Sequence, residues 1–485
     1  MSLFRGFLQV RRISRALCTS AILRDPGGYL PESYKCSDAW NKRLESSIIQ
    51  KIELDDFFFE MDQQYKSDQL ISAVDVDLFA NKITTEEYLE ELEELAHRLR
   101  KSPATHATLP STGHAIIRAL IDLKRTDILL RVLNDRFNYG IFTDNYLSNI
   151  LMDMFLEEGN FRDAAKIASL HMIEEDFGGP TTTLYALLSC LKYIENPTSE
   201  PWEEVEVLEE KKKSKEETKI RVKYLRQPGF DDHFDLTEPW HIVGKTLALG
   251  SLHLKSMDEV LQRSTRLLGW ALYDKWEKVE NILRIVEDKK LPISSDVLGK
   301  LAALVESKLK VIEGSPDKTL PKPKLKRAYG MNLDKEGVAA LYARLNIPDY
   351  GKIIPSVKAT LDSNKIVSVD APLIPKVEEL LKKAITENAS MEVTNQIQLY
   401  QDWEQIRNQT LLDQVQRVKN EKRLQEIEEQ KKELTEREET IFFFENEEEW
   451  MLRQPPAVRE YKMRWRGKYR PPKTKEDDTY VPPML

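Results

Sequence analysis

Two apolar faces at helical period, set on either side of a Gly-Asn stop, constrain this 485-residue chain more than any other feature. From Asp144, residues Leu147, Ile150, Leu151, Met154 and Phe155 recur at the spacing of one helix face. Asp144 or Asn145 can accept the first free amides, and Gly159-Asn160 provides the left-handed turn that ends such a helix. A second face follows at once in Phe161, Ala164, Ala165, Ala168 and Met172, whose alanines let two antiparallel helices approach closely before Gly178-Gly179-Pro180 closes the unit. A shift of about 34 residues carries Ile150, Leu151, Met154 and Phe155 onto Ile116, Ile117, Leu120 and Ile121, the signature of stacked helical hairpins. Leu184, Leu187, Leu188 and Leu191 give a further first helix, offset by about 34 or 37 residues. Upstream, Thr85 to Leu99 reads as a helix with a Thr84/Thr85 cap and a basic end at His97, Arg98, Arg100 and Lys101. The expected fold is all-α: a helical-hairpin solenoid, followed by a long C-terminal helix and an extended basic tail.

The first segment, 1–24, reads as an address. Arg5, Arg11, Arg12, Arg15 and Arg24 alternate with Leu3, Phe4, Phe7, Leu8, Val10, Ile13 and Leu17, and no acid precedes Asp25. An Arg-rich, acid-free, amphipathic leader is the pattern of mitochondrial import, and its arginines interrupt the apolar core that a secretory signal needs. The expected location is the mitochondrial matrix. The chain carries 72 Lys+Arg against 81 Asp+Glu, a formal charge of -9, so any nucleic-acid contact must be local. Removal of the leader would leave the body near about -14. No apolar run approaches the roughly 18 to 20 residues that cross a bilayer. Cys18, Cys36 and Cys190 lack the spacing of a zinc site or disulfide framework, and no cofactor is expected.

Beyond the first hairpins, 25–198, a charged insertion occupies 199–240. Val205/Val207 and Ile220/Val222/Tyr224 alternate with charged neighbours there, the pattern of a short two-stranded ribbon. Asp231, Asp232, His233 and Asp235 lie beside Pro228-Gly229 and read as turn and cap residues rather than metal ligands. Gly244-Lys245-Thr246 lacks the first glycine of a phosphate loop, since Pro239 stands in its place. A second helical-hairpin region, 241–313, carries Trp270, Trp276, Val279, Ile282, Leu283 and Val286 at core spacing. A basic proline-containing linker, 314–330, includes Pro321 to Arg327, and a helical segment, 331–390, includes Asp334 to Leu345 and Pro372 to Thr386.

A long charged helix is expected over 391–441. Ile397, Tyr400, Trp403 and Ile406 are placed to pack on a partner surface, and Leu424, Ile427, Leu434 and Ile441 mark a partial heptad seam. Lys431 and Glu438 at core-type positions of that seam favour a helix lying on another macromolecule over an obligate homo-oligomer. The last segment, 442–485, follows Ile441-Phe442-Phe443-Phe444 with a basic aromatic tail. From Met451 to Lys475 it holds nine bases and one acid, Glu460. Arg459, Lys462, Arg464, Arg466, Lys468 and Arg470 suit phosphates, and Trp465 and Tyr469 suit stacking on exposed bases, so these eight are candidate RNA-binding residues.

Tyr139-Gly140-Ile141-Phe142-Thr143-Asp144-Asn145, leading into Asn149-Ile150-Leu151-Met152-Asp153 and then Gly159-Asn160-Phe161-Arg162-Asp163-Ala164, resembles a pentatricopeptide repeat, with Thr143 where a proline is usual. Taken with the leader and the Tyr400-Gln401-Asp402-Trp403 start of the long helix, the chain resembles the pentatricopeptide-type family of the mitochondrial ribosomal small subunit. The resemblance implies a noncatalytic component that binds small-subunit rRNA and neighbouring mitochondrial ribosomal proteins, with tRNA as a further partner. In such repeats a first-helix side chain reads a base, and Asn149 stands at that position. The alternative is a free mitochondrial factor that binds transcripts or tRNA for stability or processing. That role needs many regular repeats in register, and two or three degenerate ones are visible.

Overall fold

The computed structural model describes residues 28–67, 71–198, 202, 236–256, 258–314, 350–363 and 365–453. The leader, the Val205 to Tyr224 ribbon, the Pro228 to Asp235 turn, the Pro321 to Arg327 linker, the Asp334 to Leu345 helix and the eight tail residues from Arg459 to Arg470 lie outside them.

Three first helices end in the same left-handed turn. Lys124, Gly159 and Asp274 stand at φ 56°, 75° and 58°. The amides that follow, of Arg125, Asn160 and Lys275, donate back to the carbonyls of Leu120, Phe155 and Trp270 at 3.0, 2.8 and 3.0 Å. These bonds satisfy carbonyls the helix leaves open and turn the chain directly into its next helix. Lys and Asp pay about 1 to 2 kcal/mol for that backbone where Gly does not, so the stop at Gly159 alone is legible from residue type.

In chain order the first part comprises α1 (Ser37–Asn41), α2 (Ser47–Gln50), α3 (Leu54–Lys66), α4 (Ala73–Lys82), α5 (Leu89–Lys101), α6 (Pro110–Asp122), α7 (Thr126–Asn134), α8 (Asn145–Glu157), α9 (Phe161–Glu174) and α10 (Pro180–Glu195). Then follow α11 (Pro239–Gly250), α12 (Glu259–Leu272), α13 (Trp276–Lys289), β1 (Pro292–Ser294), α14 (Ser295–Gly314), α15 (Tyr350–Asp362), β2 (Val367–Val369), α16 (Leu373–Glu445) and α17 (Glu447–Arg453). Asp144 caps α8 by accepting the Leu147 amide at 2.7 Å, and Asn160 caps α9 through the Asp163 amide at 3.3 Å. Pro110, Pro180 and Pro239 occupy first-turn positions where a missing amide costs nothing. From α4 onward, helices pack on the next and the next but one: α4 on α5 and α6, α6 on α7 and α8, α8 on α9 and α10, α12 on α13 and α14. One connected core runs through them, with Leu147, Ala164, Ala165, Leu184, Val243, Leu267 and Trp276 fully buried.

A close helix crossing explains the Gly-Lys-Thr stretch. Gly244 of α11 faces Gly269 of α12, where a Cβ would meet the Ala248 nitrogen and the Gly244 oxygen at 2.6 Å. Lys245 and Thr246 are buried beside it, 3% and 0% exposed, so this sequence is a packing device inside a helix.

Elsewhere the structure departs from expectation. The helix read from Thr85 begins as a 3-10 turn, Glu86–Tyr88, and Thr85 makes no side-chain cap. The ribbon among the described residues is a parallel pairing of β1 with β2, three residues each, too short for an alternation pattern. Trp202, assigned to the charged insertion, is buried, and its Nε1 donates to the Tyr193 hydroxyl at 3.1 Å. The long helix starts at Leu373 rather than Met391, because the Pro372 to Thr386 stretch is its first part, and it continues through Phe442 to Glu445. The chain divides into two units, Met1–Arg407 and Asn408–Leu485. Beyond Arg407, α16 would run about 57 Å at about 1.5 Å per residue.

Replacing Gly269 with Ala should overpack the crossing and cost about 1 to 3 kcal/mol. Gly299 of α14, with nothing within 4 Å of its Cβ position, is the control, where Ala should be neutral or stabilise by about 0.5 to 1 kcal/mol. Thermal midpoints of the two variants check this, and equal midpoints would refute the close-crossing argument.

Candidate functional site

The face of the first helices, where a base-reading array presents its side chains, is occupied in this chain by its own residues. The first part of α16 buries Leu373, Val377, Leu381, Ala384, Ile385 and Ala389 at three- and four-residue spacing. A row of polar anchors fixes its register. Near its start, Glu378 accepts from the Tyr29 hydroxyl at 2.6 Å and pairs with Lys192 of α10 at 3.0 Å. Farther along, Glu392 accepts from the Tyr34 hydroxyl at 2.6 Å and from Thr181 of α10 at 3.0 Å. Tyr400 meets His114 Nε2 of α6 at 3.1 Å, while His114 Nδ1 meets Asp144 at 2.8 Å. Last, Arg407 Nε donates to Asp77 of α4 at 2.6 Å. Residues rising along α16 thus meet helices falling in order from α10 to α4.

The N-terminal segment forms the layer between. Tyr29 and Leu30 donate their amides to Asp153 of α8 at 2.9 and 3.2 Å, and Tyr185 of α10 donates to the same carboxylate at 3.0 Å. The Tyr34 ring stacks on Tyr146 of α8 at 5.1 Å, and the Tyr146 hydroxyl donates to the Tyr34 carbonyl. Trp40 lies 5.3 Å from both His114 and Tyr400, and His114 lies 4.9 Å from Trp403. The His114 imidazole is therefore enclosed by aromatic rings.

Electrostatics follow burial. Burial and then the Glu392 carboxylate push the Tyr34 hydroxyl well above the usual tyrosine range, so it stays a neutral donor. Burial raises Tyr29 and Tyr400 in the same sense. Burial also pushes the Glu378 carboxyl up, but hydrogen bonds from Tyr29 and Lys192 outweigh it and leave it below its ordinary value. Arg43, lowered to about 10 by burial, lies 3.8 Å over the Trp40 ring and donates to the Asn81 and Trp40 carbonyls, both at 3.0 Å. A cleft of about 240 Å³ opens between Trp40, Arg43, Tyr400, Trp403 and Arg407. Arg43 and Arg407 are already engaged there and one aromatic face is covered, so the arrangement is one of anchoring rather than of acid–base or nucleophilic chemistry.

Of the sequence-derived candidates, Asn149 is the one that falls among the described residues. It lies on α8, 2% exposed, and its Nδ2 donates to the Tyr34 hydroxyl at 3.1 Å. Its amide is thus closed off behind Tyr34, which is itself held by Glu392. Tyr400 and Trp403, expected to pack on a partner, pack on Trp40 and His114 of the same chain, whereas Ile397 and Ile406 stay 37% and 44% exposed. Tyr29, Tyr34, Asp77 and His114 were not singled out by sequence, because nothing local marks a polar residue whose partner lies hundreds of residues away. Among the described residues no group of three His, Cys, Asp or Glu is arranged to hold a metal ion, and no helix is long and apolar enough to cross a membrane. Cys36 and Cys190 are buried free thiols.

In the second unit, the rest of α16 and α17 carry exposed apolar residues: Leu424, Ile427, Leu434 and Ile441 are 50 to 63% exposed, and Phe442, Phe443 and Phe444 are 54 to 66% exposed. Its ion pairs run along the helix, as in Arg437 with Glu433 at 2.6 Å.

In comparison with known proteins, the family model described as Mitochondrial 28S ribosomal protein S27 matches residues 3–433, spanning both the hairpins and most of the long helix.

Arg407 is 5% exposed and Asp77, which also accepts from Ser111 at 2.6 Å and Thr112 at 2.8 Å, is 0% exposed. Arg407→Met should strand that carboxylate and destabilise the first unit by about 3 to 5 kcal/mol. Adding Asp77→Asn should recover much of the loss, since the amide oxygen still accepts from Ser111 and Thr112. Thermal midpoints of the single and double variants give the coupling, and strictly additive losses would refute it.

Proposed function

The chain belongs to the mitochondrial 28S ribosomal protein S27 family, a family of noncatalytic ribosomal components, and we propose that it serves the small subunit as a rRNA-binding scaffold rather than as a base-reading factor. Family membership places it in the mitochondrion, on the mitochondrial ribosome. The observation that carries the scaffold reading is the occupied first-helix face: α16 and the N-terminal segment fill the surface a single-stranded transcript would need. The successive packing of helices on their neighbours and next neighbours supports a solenoid of degenerate pentatricopeptide-like hairpins. In this reading the solenoid presents its outer surfaces to neighbouring ribosomal proteins.

The rRNA contact is assigned to the tail. Arg459, Lys462, Arg464, Arg466, Lys468 and Arg470 displace counterions from phosphates, and Trp465 and Tyr469 stack on unpaired bases. On a chain of net charge -9 this run is a local cationic exception. The alternative, a free factor binding transcripts or tRNA, needs Asn149 and its equivalents open to a base, which the Tyr34 bond opposes.

Sucrose-gradient fractionation of mitochondrial lysate, before and after magnesium removal, tests the assignment. Near-stoichiometric migration with the small subunit is expected, and a slow, ribosome-free peak sensitive to RNase would refute it. Alanine at Lys462, Arg464, Arg466, Lys468 and Arg470 should weaken association with small-subunit rRNA most at low salt and flatten its salt dependence, because fewer counterions are released. Association and salt dependence both unchanged would remove the tail from the binding surface.

A further inference from the structure

The part of α16 in the second unit changes character along its length. From Arg417 to Arg423 bases dominate, whereas between Leu424 and Phe444 stand seven glutamates against Lys431, Lys432 and Arg437. This acidic stretch carries the exposed seam of Leu424, Ile427, Leu434 and Ile441, and it ends in Phe442-Phe443-Phe444, each more than half exposed. Successive residues of a helix point about 100° apart, so the four from Ile441 to Phe444 make an apolar collar around it. Apolar surface of this kind, rimmed by charge, marks an interaction site.

Charge selects the occupant. An excess of four negative charges repels phosphates, so RNA is a poor match for this stretch. A second copy of the chain brings the same excess, and in a parallel pairing it would set Lys431 against Lys431 and Glu438 against Glu438 at core-type positions. A basic helix with apolar anchors satisfies both the seam and the rim, its Lys and Arg side chains reaching the flanking glutamates.

Resting on the scaffold reading, we propose that α16 from Leu424 to Phe444 is a docking surface for a basic, amphipathic helical segment of a neighbouring protein. The seam seats that segment's apolar side chains, and the Phe collar fixes where it ends. The acidic rim gives it orientation and excludes rRNA from this face, which separates the protein-binding part of the chain from the rRNA-binding tail.

The test places the photo-crosslinker p-benzoylphenylalanine at position 434 or 443 of the full chain in cells, followed by irradiation, isolation of small subunits and sequencing of the adducts. The expected adduct is RNase-resistant and holds a peptide of another protein with Lys+Arg in excess over acids and apolar residues at helical spacing. The quadruple variant Glu433→Lys, Glu436→Lys, Glu438→Lys and Glu439→Lys should lower the adduct yield at least tenfold while the chain still migrates with the small subunit. Those residues lie on an exposed helix, and lysine keeps its helical propensity, so unchanged circular dichroism is the folding control. An RNase-sensitive adduct, an adduct with a second copy, an acidic partner peptide, no adduct in subunits that contain the chain, or an undiminished yield from the variant would each overturn the docking surface. A chain missing from the small-subunit fractions would instead refute the scaffold reading on which the proposal rests.

Discussion

The buried bond between Arg407 and Asp77 is the last in a row of polar anchors that hold a helix of this chain across its own hairpins. Aspartate and arginine are both nearly inaccessible, at 0% and 5% exposure, and such a pair persists only when further hydrogen bonds complete the carboxylate. Ser111 and Thr112 supply them, both from α6, so the ion pair also joins α4 to α6. Removing the helix would expose Asp77, the His114 ring and the Tyr34 hydroxyl together. The hairpins and the helix are therefore one folding problem, and the array as found is the array with its helix in place.

In the proposed solenoid, the same anchors account for the tolerance of degenerate repeats. A base-reading array must hold each first helix at a constant rise so that its side chains match successive nucleotides. Here the ligand of the first helices is a covalently attached helix whose side chains can differ at each position: a glutamate for Lys192, a tyrosine for His114, an arginine for Asp77. Regularity is not required when both sides of the interface are encoded in one sequence.

Legibility in the sequence follows range. The helices around Asp144 to Met172 were readable because face, cap and stop all lie within a few turns, and the structure uses Asp144 and Asn160 as caps. The hairpin stops at Lys124 and Asp274 are not legible in the sequence because these residue types do not advertise the left-handed backbone they adopt. Pairs such as Tyr34 with Glu392 or Arg407 with Asp77 join residues 358 and 330 positions apart, and no periodicity can report them. The start of α16 at Leu373 was lost for a related reason: its first turns are apolar on the face turned to the hairpins, its later turns are charged, and the change in composition reads as a boundary although the backbone has none.

Asn149 shows how a motif can keep its residues and change its use. The amide stands on α8 where a pentatricopeptide repeat would offer it to a base, and it is buried there. What it meets is the hydroxyl of Tyr34, a flat aromatic ring with one polar edge, stacked 22° from the plane of Tyr146. In physical terms the tyrosine does what a stacked base does, donating and accepting at its rim while its face is covered. The N-terminal segment thus supplies from within the chain the contact that an array reading RNA would take from its substrate. In the proposed scaffold, RNA affinity falls to a different part of the molecule, and the cationic aromatic run from Arg459 to Arg470 is where the sequence concentrates the charge for it.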